Sequence, residues 1–375
     1  MPDRAKKSSQ SMNTQAGLKA PNPFRGWAIE LENLQDAIVV PAESRTFTQM
    51  AGVLRADGSY CSNGAVWRKD QEITSEPQPP KGPIQKLPGR WLWGGLLWRH
   101  FGHFTVESTG RLWGLEAGLE NVQGVLFIPK SPKYGDELIG FQSDFMALAG
   151  ASPKVLIAPT QVEELVVPGQ GFGIGRIVLG TEACKTFFRD SFAPNIAPKG
   201  PEKLYISRSM IGPTKGALVC ERLFEERLAE HGYTVFHPQK HDIPTQIAHY
   251  RAARKVIASE GSAIHMFGLV AKPDQELAVV IRRKSKATKY IERHVRSFAG
   301  ITPLMLNEVR RTWKPEGKTK PRFARGEPDY PAIQKQLIEH GFLDRAPAWL
   351  PLTEADVNAD LNRLDRSGMV YRAVG

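Results

Sequence analysis

Two stretches of the sequence decide the fold: residues 204–208 read Leu-Tyr-Ile-Ser-Arg, and residues 256–265 read Val-Ile-Ala-Ser-Glu-Gly-Ser-Ala-Ile-His. Each is a short apolar run that ends abruptly in polar residues, and the second also contains a glycine. Such runs are typical of strands buried in a parallel sheet. In an open α/β sheet, ligands bind at the carboxyl ends of the strands, because helix N-termini meet there. The two stretches therefore predict a ligand-binding edge.

The residues around these stretches alternate between helix and strand patterns. The pattern predicts, in order, a strand over 203–207, a helix over 215–231 stopped by Gly232, a strand over 233–236, a helix opened by Pro244 and running to Arg254, a strand over 256–258, a helix after residue 262 and a strand over 276–281. Strands and helices that alternate at this spacing imply right-handed crossovers and a parallel sheet.

The composition is that of an ordinary globular protein. The chain has 375 residues, 41% hydrophobic and 24% charged, which is enough for two domains with sizeable cores. No apolar run approaches the roughly 20 residues that span a bilayer, and residues 1–20 lack the apolar segment of a signal peptide. Cys61, Cys184 and Cys220 fit neither a disulfide framework nor a metal site. These features predict a cytoplasmic protein.

The formal net charge of +11 makes an anionic partner a reasonable expectation. Between Val309 and Gly326 Glu316 is the only acid, and the bases there are Arg310, Arg311, Lys314, Lys318, Lys320, Arg322 and Arg325. This basic segment is either a solvated or disordered stretch, or a surface for anionic lipid head groups or an acidic polysaccharide. The second alternative would hold the protein at the inner membrane surface. Nucleic acid is not expected as a partner, because no nucleic-acid-binding signature accompanies the charge.

The pattern of residues resembles glycosyltransferase family 61 in its bacterial branch. The resemblance rests on Leu-Tyr-Ile-Ser-Arg at 204–208, Gly-Tyr-Thr-Val-Phe at 232–236, Gln-Ile-Ala-His-Tyr-Arg-Ala-Ala at 246–253 and Ser-Glu-Gly-Ser-Ala-Ile-His at 259–265. A second patch agrees with it: Leu-Trp-Gly-Gly at 92–95, Phe-Gly-His-Phe-Thr-Val-Glu-Ser at 101–108 and Arg-Leu-Trp at 111–113. The resemblance covers roughly residues 90–285. The chain departs from it at 260–263, where many relatives carry His-Gly-Ala and this sequence has Glu-Gly-Ser-Ala.

The resemblance implies an α/β, GT-B-like architecture of two Rossmann-like domains facing a cleft, here with a C-terminal helical extension. It also implies inverting transfer of a sugar from a nucleotide-sugar donor to a glycan acceptor, with no metal and no cofactor. We expect a role in capsular, exopolysaccharide or other surface polysaccharide synthesis. The alternative is a non-catalytic protein that binds glycans or anionic lipids.

Proline-rich and glycine-rich breaks suggest where the domains begin and end. The expected segments are a disordered basic tail at 1–22, an acceptor-side domain at 23–192, a linker at 193–201, a Rossmann-like nucleotide-sugar-binding domain at 202–300, and the basic segment with C-terminal helices at 301–375. The helices of the last segment are predicted at 331–340 and 353–366.

The leaving diphosphate needs positively charged groups or amides. A guanidinium directly after a strand can bind two phosphate oxygens, so Arg208 is the main candidate, and Ser207 would add a hydroxyl donor. The alternative for Arg208 is a surface pair with a nearby acid. Gly261, Ser262 and Ala263 open a helix whose free amides favour an anion, and the glycine allows a close approach.

Two further residues flank this turn. Glu260 either accepts hydrogen bonds from the ribose or sugar hydroxyls of the donor or caps the following helix. His265 either contacts the nucleotide or is a core histidine with its hydrogen bonds satisfied. The sequence leaves both alternatives open.

The transfer also needs a base to remove the proton of the acceptor hydroxyl. In a helix, His103 and Glu107 would lie on one face, where the carboxylate would orient the imidazole and raise its basicity. Either of the two could take the proton. The alternative is a surface pair between Glu107 and Arg111 with His103 buried.

A sugar acceptor is commonly held by an aromatic ring, since the faces of aromatic rings stack on sugar C–H groups. Four of the eight tryptophans lie between residues 91 and 113. Trp93 is the preferred acceptor residue, because Gly94 and Gly95 after it predict a loop. The sequence lacks the Asp-x-Asp motif and any zinc-ligand spacing, so no metal site is predicted.

Overall fold

A computed structural model describes residues 30–116, 121–212, 215–365 and 370–374. In these ranges the chain folds into two compact units, the first ending at Pro194 and the second starting at Asn195. Each unit contains its own sheet and its own apolar core. The basic tail predicted at 1–22 lies outside the described residues.

The first unit is mainly a sheet with short helices between its strands. Its strands are β1 (Leu31–Val40), β2 (Gln49–Met50), β3 (Gly52–Leu54), β4 (Trp67–Arg68), β5 (Gln71–Glu72), β6 (Thr74–Ser75), β7 (Gln85–Leu97), β8 (Val122–Pro129), β9 (Pro153–Val155) and β10 (Thr160–Pro168). Its helices are α1 (Phe101–His103), α2 (Gly140–Leu148) and α3 (Glu182–Thr186). A π-helical turn at Phe104–Ser108 continues α1.

Six of these strands form one sheet in the order β3-β1-β10-β7-β8-β9. Strand β1 runs antiparallel to its two neighbours, while β10, β7, β8 and β9 are mutually parallel. The sheet is therefore mixed, whereas the prediction was a Rossmann-like domain. Its parallel part still has one carboxyl edge, where β7 and β8 both end.

The acceptor loop predicted at Trp93, Gly94 and Gly95 is wrong, because these residues lie in the middle of β7. All three are buried. The Trp93 indole Nε1 donates to the carbonyl oxygen of Gly64 at 2.9 Å, so the ring belongs to the core. A Cβ on Gly94 would lie 2.7 Å from Val125 Cγ1 of β8. The glycine is needed for the close approach of two strands, and none of the three residues is available to an acceptor.

The second unit alternates strands and helices and then ends in a mixed segment. Its strands are β11 (Lys203–Ile206), β12 (Thr234–Phe236), β13 (Lys255–Ser259), β14 (Glu276–Val280), β15 (Leu304–Leu306), β16 (Val309–Pro315), β17 (Arg325–Pro328) and β18 (Tyr371–Val374). Its helices are α4 (Glu221–Glu230), α5 (Ile243–Ala252), α6 (Ala263–Val270), α7 (Ala287–Ala299), α8 (Tyr330–Glu339) and α9 (Glu354–Asp365). The predicted strands of this region are confirmed.

Strands β11 to β15 form a parallel sheet in the order β12-β11-β13-β14-β15. This is a doubly wound order in which the direction of winding reverses between β11 and β13. The crevice outside the carboxyl ends of these two strands is where such sheets bind ligands. The two stretches that decide the fold therefore end at the same point.

The helix predicted over 215–231 begins only at Glu221. The residues before it pair with β17 instead: the amide of Val219 donates to Gly326 O at 2.8 Å, and the amide of Gly326 donates to Ala217 O at 3.1 Å. Cys220 then turns the chain into α4 with a positive φ of 53°. The Cys220 side chain is buried, and the residue directly precedes the helix.

The C-terminal part is only partly helical. Helices α8 and α9 confirm the two predicted helices, and both contribute to the core of the second unit. The basic segment, however, forms β16, which lies between β17 and β18 in a three-stranded antiparallel sheet. Arg311 is paired with Glu327 and Glu354. The structure contradicts the disordered alternative for this part of the segment.

Among the described residues, no helix combines the length and the apolar composition that crossing a bilayer requires.

Gly94→Ala should destabilise the first unit, because the added methyl group would overlap Val125 and Phe127 of β8. Overpacking of this kind costs about 1–3 kcal/mol. Urea denaturation would measure the loss in the free energy of unfolding. Gly140→Ala is the matched control, since a Cβ there meets nothing within 4 Å. Equal stability of the two variants would contradict the packing role of Gly94.

Candidate functional site

The first cluster lies at the carboxyl edge of β7 and β8. Because the two strands are parallel, Trp98 and Lys130, which follow them, lie side by side, and the Lys130 amide donates to Leu97 O at 3.1 Å. Ser108 fastens the helical turn that follows: its hydroxyl donates to Leu96 O at 2.8 Å and accepts from the Trp98 amide at 3.0 Å. The predicted base is thereby held against the end of β7.

His103 and Glu107 are in contact on one face of this turn, as predicted. Nδ1 of His103 lies 2.6 Å from Oε2 of Glu107. Arg68 completes the cluster, since its Nε and Nη2 donate to the two carboxylate oxygens at 2.7 and 2.8 Å. The side chain of Glu107 is 0% exposed, whereas that of His103 is 35% exposed. Only the imidazole of this pair can therefore meet a substrate.

The protons of the cluster follow from the donors and acceptors present. Arg68 Nη2 also lies 2.8 Å from His103 Nδ1, but a guanidinium only donates, so Nδ1 cannot accept from it and donate to the carboxylate at the same time. We assign the proton to Nδ1, since the contact with Glu107 is the shorter and joins a donor to a charged acceptor. Nε2 then carries the lone pair.

Glu107 is ionised in this arrangement. Burial alone would raise the pKa of Glu107, but hydrogen bonds from His103 and Arg68 and the charge of Arg68 outweigh it and hold that pKa below its ordinary value. An ionised carboxylate at Nδ1 fixes the ring orientation and leaves the Nε2 lone pair on the opposite side of the ring.

The second cluster lies where β11 and β13 end. Arg208 follows β11 and Gly261 follows β13, and a Cβ on this glycine would lie 3.0 Å from Arg208 Cδ. Arg208 Nε and Nη2 donate to Gly216 O at 3.2 and 2.9 Å. Within the described residues, Nη1 has no acceptor, and neither have the backbone amides of Gly261, Ser262 and Ala263. Four N–H-bearing nitrogens without an acceptor in the described residues thus lie at the carboxyl ends of these two strands.

Residues 101–277 match the family model described as Glycosyltransferase 61. They belong to glycosyltransferase family 61. The matched stretch includes His103, Glu107 and Lys130 of the first cluster and residues 208–263 of the second, whereas Arg68 and Trp98 lie before it. No protein among the curated ones matches the chain.

The protein is therefore a glycosyltransferase, and its family implies a nucleotide-sugar donor and a glycan acceptor. The non-catalytic alternative considered for the sequence is wrong. Within the described ranges, no group of three or more histidine, cysteine, aspartate or glutamate side chains is placed to hold a metal ion.

Arg68 and Lys130 of the first cluster are residues that the sequence did not single out, and Trp98 was only one of four clustered tryptophans there. Arg68 lies in β4, 39 positions before Glu107, and Trp98 and Lys130 follow the parallel strands. Gln170 holds the backbone next to Arg68, because its Oε1 accepts from the Trp67 amide at 2.7 Å and its Nε2 donates to the Trp67 carbonyl at 3.0 Å. Only the position of Trp98 and Lys130 after apolar runs could have pointed to them.

Arg111 is not the partner of Glu107, so the predicted surface pair is wrong. Its side chain is buried and donates to the carbonyl oxygens of Asn63, Ala65 and Pro168. Burial lowers the pKa of Arg111 to about 10. This arginine joins segments of the first unit and does not take part in the cluster.

Ser207 does not serve the phosphate site as predicted. It is buried, and its hydroxyl donates to a carboxylate oxygen of Glu225 and accepts from the Ser209 amide at 3.0 Å. A hydroxyl has one proton to donate, and the Ser207 hydroxyl donates it to the Glu225 carboxylate, so it has none left for a phosphate. The alternative for Arg208 was a surface pair with an acid. Its guanidinium instead donates to the carbonyl oxygen of Gly216.

Glu260 takes neither of the roles considered for it. Its side chain is 0% exposed and Oε1 accepts from Arg283 Nε at 2.9 Å, so it neither caps α6 nor meets a sugar. Arg283 is a further residue that the sequence did not single out. The two Nη atoms of Arg283 have no acceptor in the described part of the chain.

His265 lies in the first turn of α6 and is half-buried. Its Nδ1 lies 2.7 Å from Nδ1 of the buried His294, and the two rings stack at 5.0 Å. Burial and then the neighbouring His265 hold the pKa of His294 well below its ordinary value. Contact between His265 and a nucleotide stays a prediction.

Arg68→Met should destabilise the first unit at pH 7 by about 3–5 kcal/mol, because it leaves Glu107 buried without its guanidinium. In the wild type the depressed pKa of Glu107 contributes stability that is present above its unfolded pKa and is lost as the pH falls through its folded pKa. The difference between the two proteins should therefore shrink when the pH is lowered from 7 towards 4. Urea denaturation at three pH values would measure it.

Arg90→Met is the matched control for this variant. Arg90 pairs with Glu164 at 3.0 Å, but their side chains are 27% and 30% exposed, and a pair of this kind contributes about 0–1 kcal/mol. A difference for Arg68→Met that is no larger than this, or that does not change with pH, would contradict the ion-pair assignment.

Proposed function

We propose that this protein is an inverting, metal-independent glycosyltransferase with a GT-B-like architecture that acts in the synthesis of a surface polysaccharide. The observation that carries the proposal is that Arg208 lies against Gly261, next to the acceptor-free amides of Gly261, Ser262 and Ala263, at the point where the winding of the parallel sheet reverses. A doubly wound sheet binds phosphates at this point. The second unit would hold the donor and the first the acceptor.

The base of the reaction is His103. The acceptor oxygen attacks the anomeric carbon on the face opposite the leaving group, and its proton passes to His103 Nε2 while Glu107 and Arg68 hold the ring. The bond from the anomeric carbon to the diphosphate breaks, and its electron pair leaves with the nucleoside diphosphate. The products are the extended glycan with inverted configuration and the free nucleotide.

The buried carboxylate favours inversion over retention. A retaining enzyme that works through a covalent intermediate needs a nucleophile that reaches the anomeric carbon. Glu107 is fully buried, and both of its oxygens accept hydrogen bonds from Arg68. It can orient His103, but it cannot attack the sugar.

The leaving diphosphate gains negative charge as the bond breaks, and the donor site supplies positive charge from its own side chains. Arg208 offers Nη1, and Arg283 offers the Nη atoms that its pair with Glu260 leaves without an acceptor. Guanidinium groups and helix amides stabilise such charge without a metal ion. This supports metal independence.

The place of action is also a proposal. We expect the enzyme in the cytoplasm, where nucleotide sugars are made, and at the inner membrane surface. Lys318, Lys320 and Arg322 are exposed beyond β16 and would meet anionic lipid.

A nucleoside diphosphate should raise the midpoint of thermal unfolding with EDTA present. At ten times its Kd, a ligand stabilises the native state by about 1.4 kcal/mol. For a unit of this size, that corresponds to a shift of roughly 3–5 °C. Arg208→Ala should weaken binding about 10- to 100-fold, since a hydrogen bond to a charged group contributes about 1.5–3 kcal/mol.

Arg254→Ala is the control for the binding experiment, because Arg254 is exposed in the same unit and its contact with Glu202 is a loose 3.9 Å. Binding that survives Arg208→Ala unchanged would show that the leaving-group site lies elsewhere. A shift that EDTA abolishes would refute metal independence.

His103→Asn should lower the turnover of the nucleotide sugar about 10²- to 10⁴-fold, the usual contribution of a general base. The thermal shift with nucleotide should stay, since His103 lies in the other unit. Release of nucleoside diphosphate would measure the rate. His100→Asn is the matched control: it removes an imidazole whose centroid is 5.1 Å from that of His103. Equal rates for the two variants would exclude His103 as the base.

A further inference from the structure

The surroundings of His103 carry a second feature that the transfer reaction does not use. The ammonium of Lys130 lies 5.6 Å from the centroid of the Trp98 ring. The Arg68 guanidinium carbon lies 4.6 Å from the centroid of the same ring, and the centroid of the His103 ring lies 4.9 Å from it. Lys130 and the base are therefore arranged around one indole.

In the described part of the chain, the Lys130 ammonium has no carboxylate partner. Its Nζ donates to the carbonyl oxygens of Thr46 and Phe47 at 3.3 and 3.0 Å, and it forms no ion pair with a carboxylate in the described part of the chain. Burial, followed by the charge of Arg68, lowers the pKa of Lys130 to about 8. The charge of Arg45 acts in the same direction. Two carbonyl dipoles do not balance this concentration of positive charge.

The remaining polar groups of the cluster are also donors. The Trp98 indole Nε1 is buried and has no acceptor, and Arg68 Nη1 has none among the described residues. The negative charge of Glu107 raises the pKa of Lys130, but both carboxylate oxygens of Glu107 already accept hydrogen bonds from Arg68 and His103. Apart from the lone pair of the base, the cluster offers hydrogen-bond donors and positive charge to a ligand.

We propose that the acceptor of this glycosyltransferase carries an oxyanion, a carboxylate or a phosphate, which binds Lys130 beside Trp98 and so places a neighbouring hydroxyl at His103. The inference rests on the proposed function and names the acceptor class. A neutral acceptor would leave Lys130 partly buried and unpaired. An acidic one brings the missing charge and the acceptor atoms that the cluster lacks. The oxyanion belongs to an acidic sugar of the glycan or to a phosphorylated one.

Chemical modification of Lys130 tests the proposal without turnover. At pH 8 about half of an amine with this pKa is unprotonated and reacts with an acylating reagent. A bound anion that raised the pKa by one unit would slow acylation about fivefold. Rates for single lysines are read by peptide mass spectrometry, with the exposed Lys133 as the internal reference. The probes are trigalacturonate, inorganic phosphate, neutral maltotriose and uridine diphosphate.

Trigalacturonate or phosphate should slow the acylation of Lys130 relative to Lys133, and maltotriose should not. The anion with the larger effect distinguishes a carboxylate from a phosphate. Protection by neither anion, or equal protection by maltotriose, would overturn the proposal. Protection by uridine diphosphate alone would also overturn it, because the cluster would then bind the donor.

A pair of variants separates this inference from the proposed function. Lys130→Gln should abolish the binding of the protecting anion in calorimetry and leave the thermal shift with nucleotide unchanged, whereas Lys133→Gln should retain both. If Lys130→Gln still bound the anion, the acceptor class would be wrong and the donor site would stand. If no nucleotide bound any of the proteins, the proposed function itself would fail.

Discussion

The burial of carboxylates is the constraint on which both clusters depend. Glu107, Glu221 and Glu260 are all buried near the carboxyl edge of parallel strands, where removing an ion from water costs several kcal/mol. Glu107 and Glu260 are compensated by the guanidinium groups of Arg68 and Arg283. Glu221 has backbone amides and a tyrosine hydroxyl instead, and burial raises its pKa. Glu107 and Glu260 thus decide which arginine is held at the edge, and an arginine held by one side of its guanidinium keeps the other side for a ligand.

The proposed donor site could be predicted further than the proposed acceptor site, and the reason is local. Strands β11 and β13 are apolar runs that end at polar residues, so the parallel-sheet rule brings Arg208 and Gly261 together without further information. Arg68 carries no such signal, because β4 is two residues long and its partner Glu107 is remote in sequence. The pair of His103 and Glu107 was predictable from spacing alone, but the arginine that ionises the acid was not.

The errors have a physical cause as well. Gly94 and Gly95 predicted a loop, because glycine pairs are common in turns, yet Gly94 is there so that two strands can approach. The start of α4 was placed too early, since the apolar spacing before it also suits residues that pair with β17, more than a hundred positions later. Ser207 and Glu260 were assigned to the ligand because strand ends bind ligands, but their hydrogen bonds are used inside the protein. A local pattern gives the position of a polar group and not its partner.

Arg111 has a consequence for how variants of such enzymes are interpreted. It ties the carbonyl groups of Asn63 and Ala65 to the end of β10, and these residues lead directly into the strand that carries Arg68. The geometry of the cluster around His103 therefore depends on a buried residue that lies outside that cluster. A loss of activity in an Arg111 variant would therefore report on the scaffold of the first unit and not on a contact with a substrate.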